Sequence, residues 1–242
     1  MMTGYARDSK GSEIVDITPD GRLDFSIQLE RTDAKVQFNI TAEKPAGKNW
    51  KDFNFKLRDW KICRVPAQSL LLPKDKAAMN ITQDADGAGM KYFDTPAYTA
   101  ETEHSSEQGG GGGFIFYMPE NRKGYRAEIT EAAFPADTLR YAMREERDKI
   151  KLDTPDIAHP GKQHNDGEFT YANANSTYVE FTGTLSYIDS KNIPVNAAVT
   201  CTVHLGHDAG DANNYQTYRN THYTYNVKIR GIGNILVEVN SG

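Results

Sequence analysis

The residue types that could carry chemistry are few, and their spacing weighs against each candidate site. Five consecutive glycines, Gly109 to Gly113, could cradle a phosphate, but that use needs a preceding strand and a Gly-Lys-Ser/Thr step opening a helix. The run leads instead into Phe114-Ile115-Phe116-Tyr117, which reads as a strand, so the glycines are expected to form a flexible loop. His204 and His207-Asp208 are ligand types close together. On a strand, positions 204 and 207 have opposite parity, so they would share an ion only if Gly206 bent the chain. His204 alternates against Val203 and Leu205, which places it on the face away from that strand's core side. Zinc also needs a third or fourth ligand, and none stands nearby. Asp84-x-Asp86-Gly87 opens like a calcium loop, yet the twelfth position is Thr95, where a bidentate Glu is required. Neither a Gly-x-Ser-x-Gly elbow nor a His-Glu-x-x-His helix occurs. No catalytic residue, metal ligand or cofactor is assigned, and the chain is expected not to be an enzyme.

The composition narrows the partners. Of 242 residues 38% are apolar and 25% charged, with 13 Tyr against 2 Trp, the mix of a globular chain and not a disordered one. Tyrosine suits half-exposed strands, where the ring packs and the hydroxyl stays wet. A net charge of −5 and a pI near 5.7 give no electrostatic reason to seek nucleic acid or an anionic membrane. Cys63 and Cys201 form neither a disulfide framework nor a Cys-x-x-Cys pair; one bridge or two buried thiols are both open readings. No apolar run is long enough to span a bilayer, and the first residues carry no signal-peptide core.

What must hold these residues is read from period-two alternation. Leu23, Phe25, Ile27 and Leu29 alternate with polar residues; after Arg31-Thr32-Asp33 the phase flips to Ala34, Val36, Phe38 and Ile40. A flip implies a bulge, a strand changing sheets, or a hinge to a new domain. Phe53, Phe55 and Leu57 shift phase in the same way to Trp60 and Ile62. Phe114–Tyr117 is unbroken and is expected to be covered on both faces. Val179, Phe181, Leu185 and Tyr187 form one row, Val195 through Leu205 another, Tyr223 to Ile229 a third, and Ile235, Val237 and Val239 the last. Helical spacing and i,i+4 charge pairs are confined mainly to Ala136–Leu152. About eight strands with one helix predict an all-β sandwich with two sheets around one core. Residues 1–22 read as a tail or the remnant of an upstream domain, and residues 23–242 as one sandwich with excursions at 74–113 and 123–175.

Four segments resemble a known family. Phe116-Tyr117-Met118-Pro119-Glu120-Asn121-Arg122-Lys123-Gly124 is similar to the "FYMPEN-x-x-G" strand and turn of Bacteroidetes fimbrillin-like proteins, the type V pilus and minor-fimbrial subunits. Ser176 to Gly183 resembles their "ATYIEITG" strand, and Leu29 to Val36 their "L-x-R-x-x-A-K-V" strand, which opens the C-terminal domain. His204-Leu205-Gly206 with Tyr218 to Val227 resembles their "YLG…RNTHYTYTV" ending. The segments keep the family's order. In residue terms, Pro119 ends a strand because it lacks a ladder donor, and Glu120-Asn121 with Gly124 suit a turn.

The resemblance implies a transthyretin-like (Ig-like) β-sandwich, export as a lipoprotein precursor, and a fimbria attached at the outer membrane, tied to the membrane only through the precursor's lipid anchor. It also implies assembly with other pilin subunits by strand addition, in which a neighbour's extended segment pairs along a sheet edge. The expected function is thus a fimbrial structural or tip-adhesin subunit, with a surface glycan or protein as receptor. Ile235, Val237 and Val239 are either core or the polymer-interface strand. The rival reading is a surface carbohydrate-binding module, with Trp50, Tyr92 and Tyr98 as its platform; Trp60 is an equal candidate for the core.

Overall fold

A computed structural model of the chain describes residues 2–3, 6–7, 26–27, 29–67, 69, 91–100, 110–122, 176–207, 215–232 and 234–242. Among these residues every regular element is a strand. The helix expected over Ala136–Leu152, the Asp84–Gly87 turn and Asp208 lie outside the described residues.

Four short strands come first: β1 (Met2–Thr3), β2 (Ala6–Arg7), β3 (Ser26–Ile27) and β4 (Glu30–Arg31). The long β5 (Asp33–Ala42) and β6 (Lys51–Cys63) follow, then the short β7 (Val65–Pro66), β8 (Tyr92–Phe93) and β9 (Tyr98–Thr99). Five more complete the fold: β10 (Gly110–Pro119), β11 (Tyr178–Ile188), β12 (Pro194–His204), β13 (His222–Gly231) and β14 (Asn234–Ser241). Hydrogen bonding orders the main sheet as β12-β11-β6-β10-β5-β13-β14, with β9 added to β6.

Phe181 on β11 and Phe38 on β5 stand three strands apart on that path, which in a flat sheet would be roughly 14 Å. Their ring centroids are 6.4 Å apart. The path therefore folds back on itself at its shortest link, the two parallel pairs Gly110↔Phe55 and Gly111↔Lys56 between β10 and β6. Two layers face one another, β12-β11-β6 with β9 and β10-β5-β13-β14. This is the β-sandwich that residue parity predicts.

Phe38 sits at the centre of the core. It stacks on Phe114 at 4.9 Å and on Tyr225 at 4.8 Å within its own sheet, and meets Phe181 of the other edge-on. Val199, Val203, Val227 and Ile229, inward by parity, are all buried. Trp60 lies flat on Phe114 at 4.2 Å and 4°, so it seals the seam between the layers. Phe114–Tyr117 departs from expectation: Phe114 and Phe116 are buried, whereas Ile115 and Tyr117 are 48% and 57% exposed. Only one face of β10 meets the core, so an apolar run here does not mean cover on both faces.

The phase shift along β6 is a bulge. Thr182 pairs with Asp59 but Gly183 pairs with Leu57, so Arg58 is the extra residue, and the inward set changes from Phe55 and Leu57 to Trp60 and Ile62. The shift at Arg31–Asp33 has another cause. There the chain leaves two separate ladders, β1 on β4 and β2 on β3, and enters the sandwich. Of the row Leu23 to Leu29, the described Ile27 and Leu29 are 54% and 53% exposed, so the covered face that the alternation predicts is not supplied by this core.

The glycine run is also corrected. Gly110–Gly113 are strand, not loop, with Gly111 to Gly113 laddered on Thr41 to Asn39 of β5. Here β10 must touch both layers. A Cβ on Gly113 would lie 2.6 Å from the Phe38 carbonyl oxygen, so the close approach excludes side chains. Across the sandwich, a Cβ on Gly183 would meet the Phe55 ring at 2.3 Å and the Lys56 carbonyl oxygen at 2.5 Å.

The β11–β12 hairpin is closed by Asp189, whose Oδ1 accepts from the backbone N–H of Lys191 and Ile193, both at 2.8 Å. Asn192 takes the left-handed conformation (φ 58°) that Asn tolerates.

Gly183→Ala is expected to lower unfolding stability by about 1–3 kcal/mol through overpacking, read as a reduced urea midpoint. An unchanged midpoint would show that the Phe55 ring does not occupy this space.

Candidate functional site

At the end of the sandwich where β10, β6 and β12 finish and β5, β11 and β13 begin, polar side chains are buried together. Pro119 terminates β10 and delivers Glu120, Asn121 and Arg122 inward, 4%, 0% and 8% exposed. Glu120 is held from two sides. Arg219 Nη2 and Nε donate to Oε1 at 2.7 and 3.0 Å, and Arg122 Nε donates to Oε2 at 2.9 Å. The Arg122 guanidinium also lies over the Tyr218 ring, 5.0 Å from its guanidinium carbon to the centroid. Removing one partner from a buried ion pair strands a buried charge, at a cost of about 3–5 kcal/mol.

Asn121 extends the cluster to both layers. Its backbone exchanges two hydrogen bonds with Thr217, 2.9 and 2.8 Å. Its Nδ2 donates to Thr177 Oγ1 at 2.9 Å, which donates to the Arg64 carbonyl at 2.8 Å. Gln216 Nε2 donates to the Arg122 carbonyl, and the Tyr218 hydroxyl donates to Gln216 Oε1 at 2.6 Å. The Tyr218 backbone N–H donates to the Tyr223 hydroxyl at 2.9 Å. These residues lie in segments that the sequence marks only as turn and strand. Their signal was there, however: charged residues directly abutting strand ends in Met118-Pro119-Glu120-Asn121-Arg122 and Tyr218-Arg219-Asn220.

The cluster contains a nucleophile and a base within reach, Ser176 Oγ and His204 Nδ1 at 2.6 Å. Both residues are sealed, 1% and 2% exposed, and the imidazole is flanked by Tyr178 and Tyr215. The expectation that His204 faces outward is therefore corrected: its face of β12 is covered by Tyr215. Gly206 does bend the chain, at φ 103°, but His207 turns to Ser241 Oγ at 2.8 Å. Among the described residues no three His, Cys, Asp or Glu gather as a metal site. Cys63 and Cys201 are buried and unbridged, and burial pushes the Cys63 thiol above its ordinary range.

The sheet edges contrast with this closed end. Among the described residues β12 pairs with β11 and β14 with β13, and neither has a second ladder. Ile235, Val237 and Val239 point into the core, 1%, 1% and 7% exposed, so a chain arriving at β14 would meet backbone and not these side chains. β12 is less complete. Val199, Cys201 and Val203 are buried, but Val195 and Ala197, of the same parity, are only half-buried, and Ile193 beside them is 53% exposed.

The three aromatic residues of the platform reading are not brought together. Trp50 stacks on Tyr187 at 4.3 Å and on Phe53 at 5.7 Å, with Lys48 Nζ 5.8 Å from its ring. Tyr98 packs on Trp60, towards the far end of β6, whereas Trp50 precedes the start of that strand. Tyr92 sits on β8 beneath the Arg64 guanidinium.

No family model matches the chain, and no curated protein matches it. Among solved structures it is similar to a protein proposed to act in cell adhesion from Parabacteroides distasonis, with 16% identity, a TM-score of 0.42, and coverage of 92% of this chain and 55% of that one. It is also similar to a fimbrial protein from Bacteroides vulgatus, with 10% identity, a TM-score of 0.37, and coverage of 93% and 57%. A third, from Bacteroides eggerthii and likewise proposed to act in cell adhesion, is 11% identical with a TM-score of 0.46, covering 100% and 68%. The chain thus spans little more than half the length of the first two.

Burial pushes the Tyr223 hydroxyl up to about 12, from an ordinary 10.0. The neutral hydroxyl is favoured in the fold, so its contribution is present below pH 10.0 and lost as pH rises towards about 12. Unfolding free energy measured across that window is expected to fall, and Tyr223→Phe to make the fall shallower. An equally steep fall in the variant would remove Tyr223 from the alkaline response.

Proposed function

We propose that this chain is a structural or adhesive subunit of a surface fibre, of the fimbrillin type, joined to its neighbours by strand addition. The observation that carries this reading is the first half of β12. Pro194–Thr200 has a ladder on one side only among the described residues, and its inward row is incompletely covered. An unpaired edge of this length is a liability unless it is blunted or used. Pro194 and Lys191 are the blunting residues near it, both before or at the strand's first position. An incoming extended chain would gain main-chain hydrogen bonds from the edge and register from alternate side chains beside Val195 and Ala197.

Two further points support the reading. The four segments that resemble fimbrillin-like proteins map onto β5, the polar cluster, β11 and the entry to β13, which are the parts that set this fold. The similar solved structures include one named a fimbrial protein. A surface location and export as a lipid-anchored precursor belong to the same proposal, as do fellow subunits and a receptor.

Hydrogen exchange compared between dilute and assembled protein tests it. Amides within Pro194–Thr200 are expected to exchange slowly only after assembly, by roughly 100-fold or more. Assembly without added protection there would overturn strand addition at this edge.

A further inference from the structure

At the end of the sandwich remote from the polar cluster, three aromatic rings are stacked, and only two of them belong to the core. Phe53 and Tyr187 are half-buried and pack against the buried core residues. Trp50 is outside that set: it lies on Tyr187 at 4.3 Å and 22°, and beside Phe53 at 5.7 Å. In a regular strand positions 50 and 53 point to opposite faces. A bulge overrides this. Ser186 pairs with Asn54 and Ile188 with Lys51, so Tyr187 stands against two residues, Asp52 and Phe53, and Asp52 takes the left-handed conformation at φ 52°. Bulges re-aim side chains in this way, and here Trp50 and Phe53 come to share the Tyr187 ring.

The charge at this end differs from that of the whole chain. Lys48 holds its ammonium over the Trp50 ring, 5.8 Å from the centroid. Lys44 and Lys48 are exposed before β6, Lys51 begins that strand, and Lys191 is exposed in the β11–β12 turn. Lys51 Nζ donates to Asn192 Oδ1 at 3.3 Å, which ties the two turns together. Among the described residues none of these lysines is in an ion pair. The neighbouring acids are otherwise placed. Asp189 Oδ1 accepts from backbone N–H groups of its own turn, and Glu43 is matched by Arg230 and Lys228. Lys44, Lys48, Lys51 and Lys191 thus outnumber Asp52 and Asp189, in a chain whose net charge is −5.

We infer that Trp50 and Lys48 form a binding subsite for a sugar that bears a carboxylate, a pyranose of the uronate type. An indole face is electron-rich and takes the C–H face of the pyranose, while the Lys48 ammonium, already at that ring, takes the carboxylate. The stack on Tyr187 holds the indole in place, so little side-chain freedom is lost on binding. The surrounding lysines supply the field that draws in an anion. Asn49, Ser190 and Asn192, exposed in the flanking turns, carry the donors and acceptors that sugar hydroxyls take. An acidic peptide would use the lysines equally well but has no pyranose face to lay on the indole, so the stack favours the sugar. The inference rests on the adhesive half of the reading above, whose receptor class it names, and needs no strand pairing between subunits.

Calorimetric titration of the full chain with an oligogalacturonate tests this, beside its methyl-ester counterpart and a poly-glutamate of similar length. Binding is expected to the uronate alone, and to weaken as salt is raised. Trp50→Ala is expected to weaken it by roughly 10-fold, and Lys48→Gln by roughly 5-fold with a smaller salt dependence. Lys48 is exposed, so its variant keeps the fold and the test stays decisive where Trp50→Ala loses stability. No binding of the uronate, or equal binding of the methyl ester, overturns the inference. If Pro194–Thr200 is nevertheless protected on assembly, the fibre-subunit reading stands and only the ligand named here falls. Poly-glutamate binding that falls in the same two variants overturns the sugar in favour of an acidic peptide.

Discussion

A single buried carboxylate, Glu120, gripped by Arg219 and Arg122, sets the geometry on which the rest of this sandwich depends. Charges so fully removed from water are tolerated only when they are paired and hydrogen-bonded, and here four N–H donors of Arg122 and Arg219 converge on the two carboxylate oxygens. The contact pins the exit of β10 to the entry of β13. These strands flank β5, which carries the core's central ring, Phe38. Asn121 then ties the same turn to Thr177 and the Arg64 carbonyl of the opposite layer. The polar cluster therefore does at one end what the glycine seam of β10 does along the shared edge: it fixes how the two layers meet. The apolar core between them supplies most of the driving force but is not directional.

Much of this fold was legible in the residues, because parity is a strict code wherever one face is buried. The rows on β5, β11, β13 and β14 point as their alternation says, and even the bulge at Arg58 is written in the step from Leu57 to Trp60. The misreadings share a cause: each concerns what lies on the other side of a residue, which parity does not encode. His204 alternates outward, and Tyr215 covers it. Ile115 and Tyr117 extend an apolar run but face outward. Ile27 and Leu29 alternate as a core strand does, yet both are exposed. The glycines of β10 resemble a linker by composition, and only the approach of Phe38 and Leu57 gives them a structural reason. The Glu120 cluster was least legible, since its members are ordinary turn formers until burial brings them together.

The proposed function follows from the contrast between the ends and the edge. One end is closed by a buried, hydrogen-bonded polar cluster, and its Ser176–His204 pair is buried. Among the described residues β12 has one ladder only, and Val195 and Ala197 of its inward row are half-buried. On the proposed reading, that edge is where another polypeptide would extend the sheet.

The most direct measurement is a double-mutant cycle on Glu120 and Arg219, with Glu120→Gln and Arg219→Gln singly and together, read by urea unfolding. If the buried contact governs the fold, each single change should cost about 3–5 kcal/mol. The pair should then cost far less than the sum, with a coupling above about 2 kcal/mol. Single costs below about 1 kcal/mol, or additivity to within about 0.5 kcal/mol, would contradict it and leave the sandwich to be held by its apolar core alone.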